Sequence, residues 1–198
     1  YALMHYPMTL AETASIFAET VVFEDALLKS SGAERLGLVE NHLQDGCQIL
    51  VDILSRFQFE QAVFERRAKG ELSPDELSAL MIDAQKRTYG DGLDPEALHP
   101  YMWAVKGHYY RTELSFYNFP YAFGQLFGMG LYSRYRQEGP AFAETYKALL
   151  LQTGKASAAE VCAKAGFDIE TPAFWRSGVK VFLEQIDEFE RLVAAEGR

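Results

Sequence analysis

The sequence predicts an all-α fold of roughly seven helices, and three observations predict it. No run sustains the period-two alternation of a half-buried strand. Apolar residues recur instead at spacings of three and four over long stretches. Those stretches are closed by helix punctuation, with Ser, Thr or Pro at the start and Gly at the end. Internal repeats, low-complexity segments and Ser/Gly-rich linkers are absent, so residues 1–198 read as a single helical unit.

Taken in order, the first helix runs from about Thr9 to Leu28 and ends at the "KSSG" turn. A long helical pattern follows from Ala33 to about Lys69, through Leu36, Val39, Leu43, Cys47, Leu50, Leu54, Phe57 and Val63, and Gly70 ends it. "SPDE" opens the next, with Ser73 as cap, Pro74 in the first turn and Glu76 three residues on; that helix ends near "TYGDG". Residues 90–111 are the least regular part, broken repeatedly by glycine and proline. A helix then starts near Thr112 or at Asn118 and runs to Gln137, and Pro120 either kinks it or lies in its first turn. Gly139-Pro140 opens a further helix to Thr153, Ser157 caps a short one that stops at Gly166, and Thr171-Pro172 opens the last.

Composition narrows the function. A chain of 198 residues is long enough for one good core or two small ones. Its formal net charge of -9 argues against a nucleic-acid or anionic-membrane surface, and the densest basic run, "FERRAK", reads as a solvated helix end. The longest apolar run, "YNFPYAFGQLFGMGLY", is too short to span a membrane and is broken by Pro120, Gln125 and three glycines. The two cysteines, Cys47 and Cys162, lie in no C-x-x-C or Cys/His cluster and read as reduced helix residues of a cytoplasmic protein. The opening "YALMHYPMT" does not look like a natural start, which suggests a piece of a longer polypeptide.

Chemistry enters with "YPMTLAETASIFAET". Seven residues are almost two helical turns, so Glu12 and Glu19 fall within about 20° of each other. Leu10, Ala14, Phe17, Val21 and Leu28 make the opposite side apolar too, and a helix that is apolar nearly all round is expected to be buried. Two readings stand for Glu12: it closes a capping box with Thr9, or it faces a site. Two stand for Glu19 as well: an ion pair or rim position, or a buried carboxylate with a dedicated partner. Seven residues rise about 10.5 Å along a helix, so the two carboxylates do not share one metal's ligand shell; one would bind and the other would orient a neighbouring ligand.

The second constellation is residues 103–124, "WAVKGHYYRTELSFYNFPYAFG", with Trp103, His108, Tyr109, Tyr110, Tyr117 and Tyr121. Aromatics at this density can be core, yet their hydroxyls and imidazole need partners when buried, and their place in the most irregular stretch suits a pocket wall. The other histidines are weak candidates: His5 lies in the ragged start, His42 in the long helix without a paired ligand at the right spacing, and His99 in a loop. H-E-x-x-H, G-x-S-x-G, the P-loop and G-x-G-x-x-G are all absent.

These two constellations, in this order, resemble the oligoendopeptidase F family of zinc metallopeptidases, relatives of thimet oligopeptidase. "YPMTLAETASIFAE" is similar to the family segment that supplies the third zinc ligand. "MWAVKGHYY" followed by "LSFYNFPYAFG" is similar to its His and Tyr block lining the substrate cleft, and "GFDIETPAFW" to the start of its C-terminal helix. The resemblance implies that the chain is the C-terminal helical part of a zincin-type catalytic domain, with Glu12 as zinc ligand and Glu19 holding a ligand in place. His108 and Tyr121 would donate to the peptide carbonyl as it becomes an oxyanion, with Tyr117 in the same block. It implies short peptides as substrates and one zinc ion. The two histidines and the general-base glutamate would be supplied by the N-terminal remainder of the same polypeptide, so the chain alone would be inactive. The alternative from the residues themselves is a non-catalytic all-α module for ligand binding or dimerisation.

Overall fold

Helix α1, Thr13–Lys29, follows a single 3-10 turn at Met8–Leu10. The computed structural model of the protein describes residues 5–195. By their contacts these residues group into two compact units where the sequence suggests one: the first is drawn from the stretches up to Gly46 and from Phe123 onward, the second is Cys47–Ala122. Among the described residues there is no strand. No helix among them is long and apolar enough to cross a membrane.

In the first unit, α1 buries Thr13, Ile16, Phe17, Thr20 and Leu27, a stripe at helical spacing. The expectation of a helix buried all round is corrected here. Ala14, Ala18 and Asp25 are exposed, and so are Val22 and Leu28, the latter 86%. A helical wheel shows where apolar atoms are, not which of them find a partner. Helix α2, Gly32–Cys47, packs Gly46 so closely on Phe182 that a Cβ there would come within 2.3 Å of the ring.

The second unit continues without a break through a π-helical turn, Gln48–Asp52, into α3, Ile53–Arg67. The long pattern from Ala33 is therefore one continuous helical run with an irregular turn inside it, which the sequence did not signal. Helix α4, Pro74–Tyr89, starts as its residues dictate: the Ser73 hydroxyl accepts from the Glu76 N–H while the Glu76 carboxylate accepts from the Ser73 N–H. Phe59, Met81 and Ala84 form the small core between α3 and α4. The stretch after Tyr89 carries only α5, Met102–Val105, and a 3-10 turn, Gly107–Tyr110. It is tethered rather than loose. The buried Gln85 amide donates to the His99 carbonyl at 2.9 Å and accepts from the His99 N–H at 3.1 Å, and the Trp103 indole donates to Ser78 at 3.2 Å.

Helix α6, Phe119–Glu138, gives its first turn to the second unit and the rest to the first. Pro120 lies in that first turn, where its missing N–H costs nothing. Gly139–Ala141 makes a 3-10 turn into α7, Phe142–Gln152; α8, Ala158–Lys164, carries a second complete capping box from Ser157 and Glu160; α9 is Pro172–Ala195. Counting α2 through α3 as one and setting aside the four-residue α5, the described residues hold seven helices. The core of the first unit is aromatic: Phe127, fully buried on α6, meets Phe123, Phe167 and Phe174 with ring centroids 5.4–6.2 Å apart. Both cysteines are free, Cys162 buried in this core and Cys47 exposed at the end of α2.

Candidate active site

In the second unit, one hollow gathers most of the sequence-predicted wall. It is lined by Ile53, Arg56 and Glu60 from α3, by Lys106, His108 and Tyr109, and by Tyr117, Asn118 and Tyr121 at the start of α6. The His108 and Tyr117 rings are parallel with centroids 6.0 Å apart. Tyr121 stands edge-on to both, 6.4 Å from His108 and 5.4 Å from Tyr117. The 3-10 turn presents His108, and the Tyr121 N–H donating to the Asn118 carbonyl at 3.1 Å starts the helix that presents Tyr121.

Electrostatics favour donors here. Burial lowers the His108 pKa below its ordinary value, and the positive charges of Arg111, Arg56 and Lys106 lower it further. The imidazole is therefore neutral at pH 7 and offers one N–H. The Tyr109 phenol, packed edge-on to Phe59 at 5.2 Å, is pushed far above its ordinary pKa by burial and stays protonated. Arg56 is ion-paired with Asp52, which also accepts from the Tyr89 hydroxyl at 2.9 Å. A neutral imidazole beside phenols, in a hollow also lined by a paired guanidinium, is suited to stabilise charge that develops on a carbonyl oxygen.

Glu12 and Glu19 belong to the first unit. Glu12 occupies the N-cap position of α1, but its side chain makes no capping bond, and Thr9 sits inside the preceding 3-10 turn, so the capping-box reading does not hold. Its neighbours are partly built by glycine: a Cβ on Gly124 would lie 2.7 Å from the Glu12 Cβ, and one on Gly128 would lie 3.2 Å from the Phe17 amide nitrogen. The shared buried face expected for the two glutamates is corrected: Glu12 is half-buried and Glu19 is exposed. At about 100° per residue, Glu12 lies about 80° and Glu19 about 100° from the centre of the buried stripe, at its edge. Among the described residues, no three His, Cys, Asp or Glu side chains group as a metal site would need.

Sequence reasoning missed Arg56, Glu60 and Asn118. The available signal was an Arg and a Glu four residues apart inside the apolar "ILSRFQFEQAVF", which also fits a surface ion pair. The remaining histidines are accounted for locally. His42 stacks on Phe23 at 3.9 Å, and His99 Nδ1 accepts from the Tyr101 N–H at 3.1 Å; His5 is exposed.

Comparison with known proteins bears on the whole chain. The model of Peptidase family M3 matches residues 1–181. A chromosomal oligoendopeptidase F of Lactococcus lactis subsp. cremoris is 29% identical over 195 residues, covering 98% of this chain and 32% of that protein. An oligopeptidase PepF of Bacillus subtilis (strain 168) is 27% identical over 195 residues, covering 98% and 29%. The crystal structure of oligoendopeptidase-F from Enterococcus faecium superposes with a TM-score of 0.81 at 21% identity, over 98% of this chain and 37% of that one. The chain thus spans about a third of the length of the curated relatives it matches.

Proposed function

The chain belongs to peptidase family M3, and from that premise we propose that it is part of a zinc-dependent oligoendopeptidase that hydrolyses short peptides. The observation that carries the reading is the cluster of His108, Tyr117 and Tyr121 around one hollow, with an imidazole kept neutral beside two phenols. Their N–H and O–H groups would donate to the scissile carbonyl oxygen, and more strongly to the oxyanion it becomes.

Glu12 would be this chain's metal ligand. Its donor chemistry fits one position of a zinc site, since it is a half-buried carboxylate. The other donors and the general base would come from the N-terminal remainder of the polypeptide. Zinc, when bound, would supply a Lewis acid and an acidified water. Glu19, exposed in this chain, would accept from a ligand on that remainder and hold it in orientation. The chain alone would be inactive, and the enzyme would work in the cytoplasm.

The test uses the full-length polypeptide and a quenched fluorescent peptide of about ten residues. Hydrolysis that a chelator abolishes and zinc restores supports the proposal. Absence of zinc-dependent hydrolysis overturns it in favour of a non-catalytic module, and indifference of that activity to Glu12→Ala removes Glu12 from the metal's ligands.

A further inference from the structure

Among the described residues, Glu60 is the one carboxylate of the hollow's lining, 7% exposed on α3. Both of its oxygens act as acceptors. Oε1 takes the Phe116 N–H at 2.7 Å, and Oε2 takes the Asn118 side-chain amide at 2.7 Å. These two donors flank Tyr117 in the chain.

Phe116 is the only non-glycine residue with positive φ among the described residues, at +58°. A bulky aromatic is strained there and persists only where its surroundings over-determine it. The bond from the Phe116 N–H to Glu60 is one such constraint, and the Asn118 N–H donating to the Phe116 carbonyl at 2.8 Å is another. The Phe116 ring also packs on Phe57 and Phe64, with centroids 5.8 Å and 5.1 Å away.

Asn118 passes the constraint into α6. With its NH2 committed to Glu60, its Oδ1 turns to accept from the Phe119 N–H at 2.5 Å, and its carbonyl accepts from the Tyr121 N–H. Tyr117 therefore sits between two points held by one carboxylate, and Tyr121 hangs from the turn that Asn118 starts. A buried carboxylate is a costly way to stabilise a core. It is an effective way to hold two donors in one orientation.

We propose that Glu60 is a positioning residue for the His108–Tyr117–Tyr121 wall: it holds the strained Phe116–Asn118 turn and thereby aims both tyrosine hydroxyls. The inference rests on reading that wall as the carbonyl-binding side of the site.

The experiment is a double-mutant cycle in the full-length polypeptide, with kcat, KM, metal content and Tm measured on the same samples. Glu60→Gln keeps the volume but offers one acceptor where two are needed. Misplacing reacting groups by about an ångström costs about 10²-fold, so kcat should fall about 10–100-fold, with KM within about twofold and metal content unchanged. In a Tyr117→Phe/Tyr121→Phe background, Glu60→Gln should cost nothing further, because it acts only through the hydroxyls already removed. An undiminished loss in that background, or wild-type kcat in Glu60→Gln, overturns the role of Glu60. Wild-type kcat in the double tyrosine variant overturns the reading of the wall itself. Should Glu60→Gln fail to fold, Asn118→Ala removes one of the two bonds from the other side and must show the same kcat signature. Its failure to do so also overturns the inference.

Discussion

The Cα of Gly124 on α6 lies so near Glu12 that an added Cβ would stand 2.7 Å from the Glu12 Cβ and 3.0 Å from Ile16 Cδ1. Four residues on, a Cβ at Gly128 would meet Ile16 Cγ2 at 3.0 Å and the Phe17 amide nitrogen at 3.2 Å. Two glycines one turn apart thus set how deeply the start of α1 seats against α6. Gly124→Ala should shift Glu12 and, if Glu12 is a metal ligand, lower metal content in the full-length polypeptide. The gain of about 1 kcal/mol in helix propensity does not offset the clash. Gly178→Ala should be worse for stability, because its Cβ would stand 2.4 Å from the Leu126 carbonyl oxygen, which is backbone and cannot rotate away. A loss of about 1–3 kcal/mol is expected from chemical denaturation. Wild-type stability in Gly178→Ala would show that α9 can move off α6 freely.

Glu12 and Glu19 should part company on mutation. Glu12→Ala should lose metal and activity together if it is a ligand. Glu19→Ala leaves the donor set intact and should weaken metal affinity by about 10–100-fold, the usual effect of removing a group that orients a ligand. Metal analysis after dialysis against graded chelator separates the two. Equal metal content in both variants and wild type would remove both from the site.

What was legible in the sequence was what is local. The starts at Ser73 and Ser157 could be read because a capping box is closed within four residues. The clustering of His108, Tyr117 and Tyr121 could be read because they are close in the chain. Glu60 could not, because its partners lie far along the sequence, Phe116 fifty-six residues away; Arg56, paired with Asp52 one turn back, reads as an ordinary helix ion pair. The π-helical turn at Gln48–Asp52 was equally silent. Nothing in "CQILVDIL" marks it, and Asp52 within it finds its partners in Arg56 and Tyr89. The burial of α1 was misread for the same reason: apolar atoms are written in the sequence, and the surfaces that cover them are not.

Tyr121→Phe deletes one hydroxyl and little else. If that hydroxyl donates to the oxyanion, kcat should fall about 10²–10³-fold while KM and bound zinc stay put. Tyr117→Phe tests the neighbouring ring in the same assay, and the larger loss identifies the principal donor. His108→Ala should also lower kcat, with some rise in KM because it removes part of the hollow's lining. Full activity in both tyrosine variants would make these rings packing groups.

Stability should fall as the solution is acidified below about pH 6.5, and two histidines should carry part of the slope. Burial lowers the pKa of His42, only partly countered by Gln185 and by the charge of Asp45, and burial with Arg111, Arg56 and Lys106 lowers that of His108. A free histidine titrates near 6.5. Between that value and the lower folded one, the unfolded chain binds more protons than the folded chain. Stability therefore rises with pH across the window, is fully present above about 6.5, and is lost as pH drops through the folded pKa. Glu60 acts in the opposite sense at lower pH: burial raises its pKa, so its contribution is largest when the unfolded carboxyl is also protonated and diminishes as pH rises through the folded value. The two effects separate by substitution. His42→Leu keeps an apolar surface against Phe23, whose ring stacks on the imidazole at 3.9 Å, and removes one titrating group. Its Tm measured from pH 7.5 to 5.5 should decline less steeply than that of the wild type. An identical slope in the two proteins would place the His42 pKa at its unfolded level and leave the acid sensitivity to His108 and other groups.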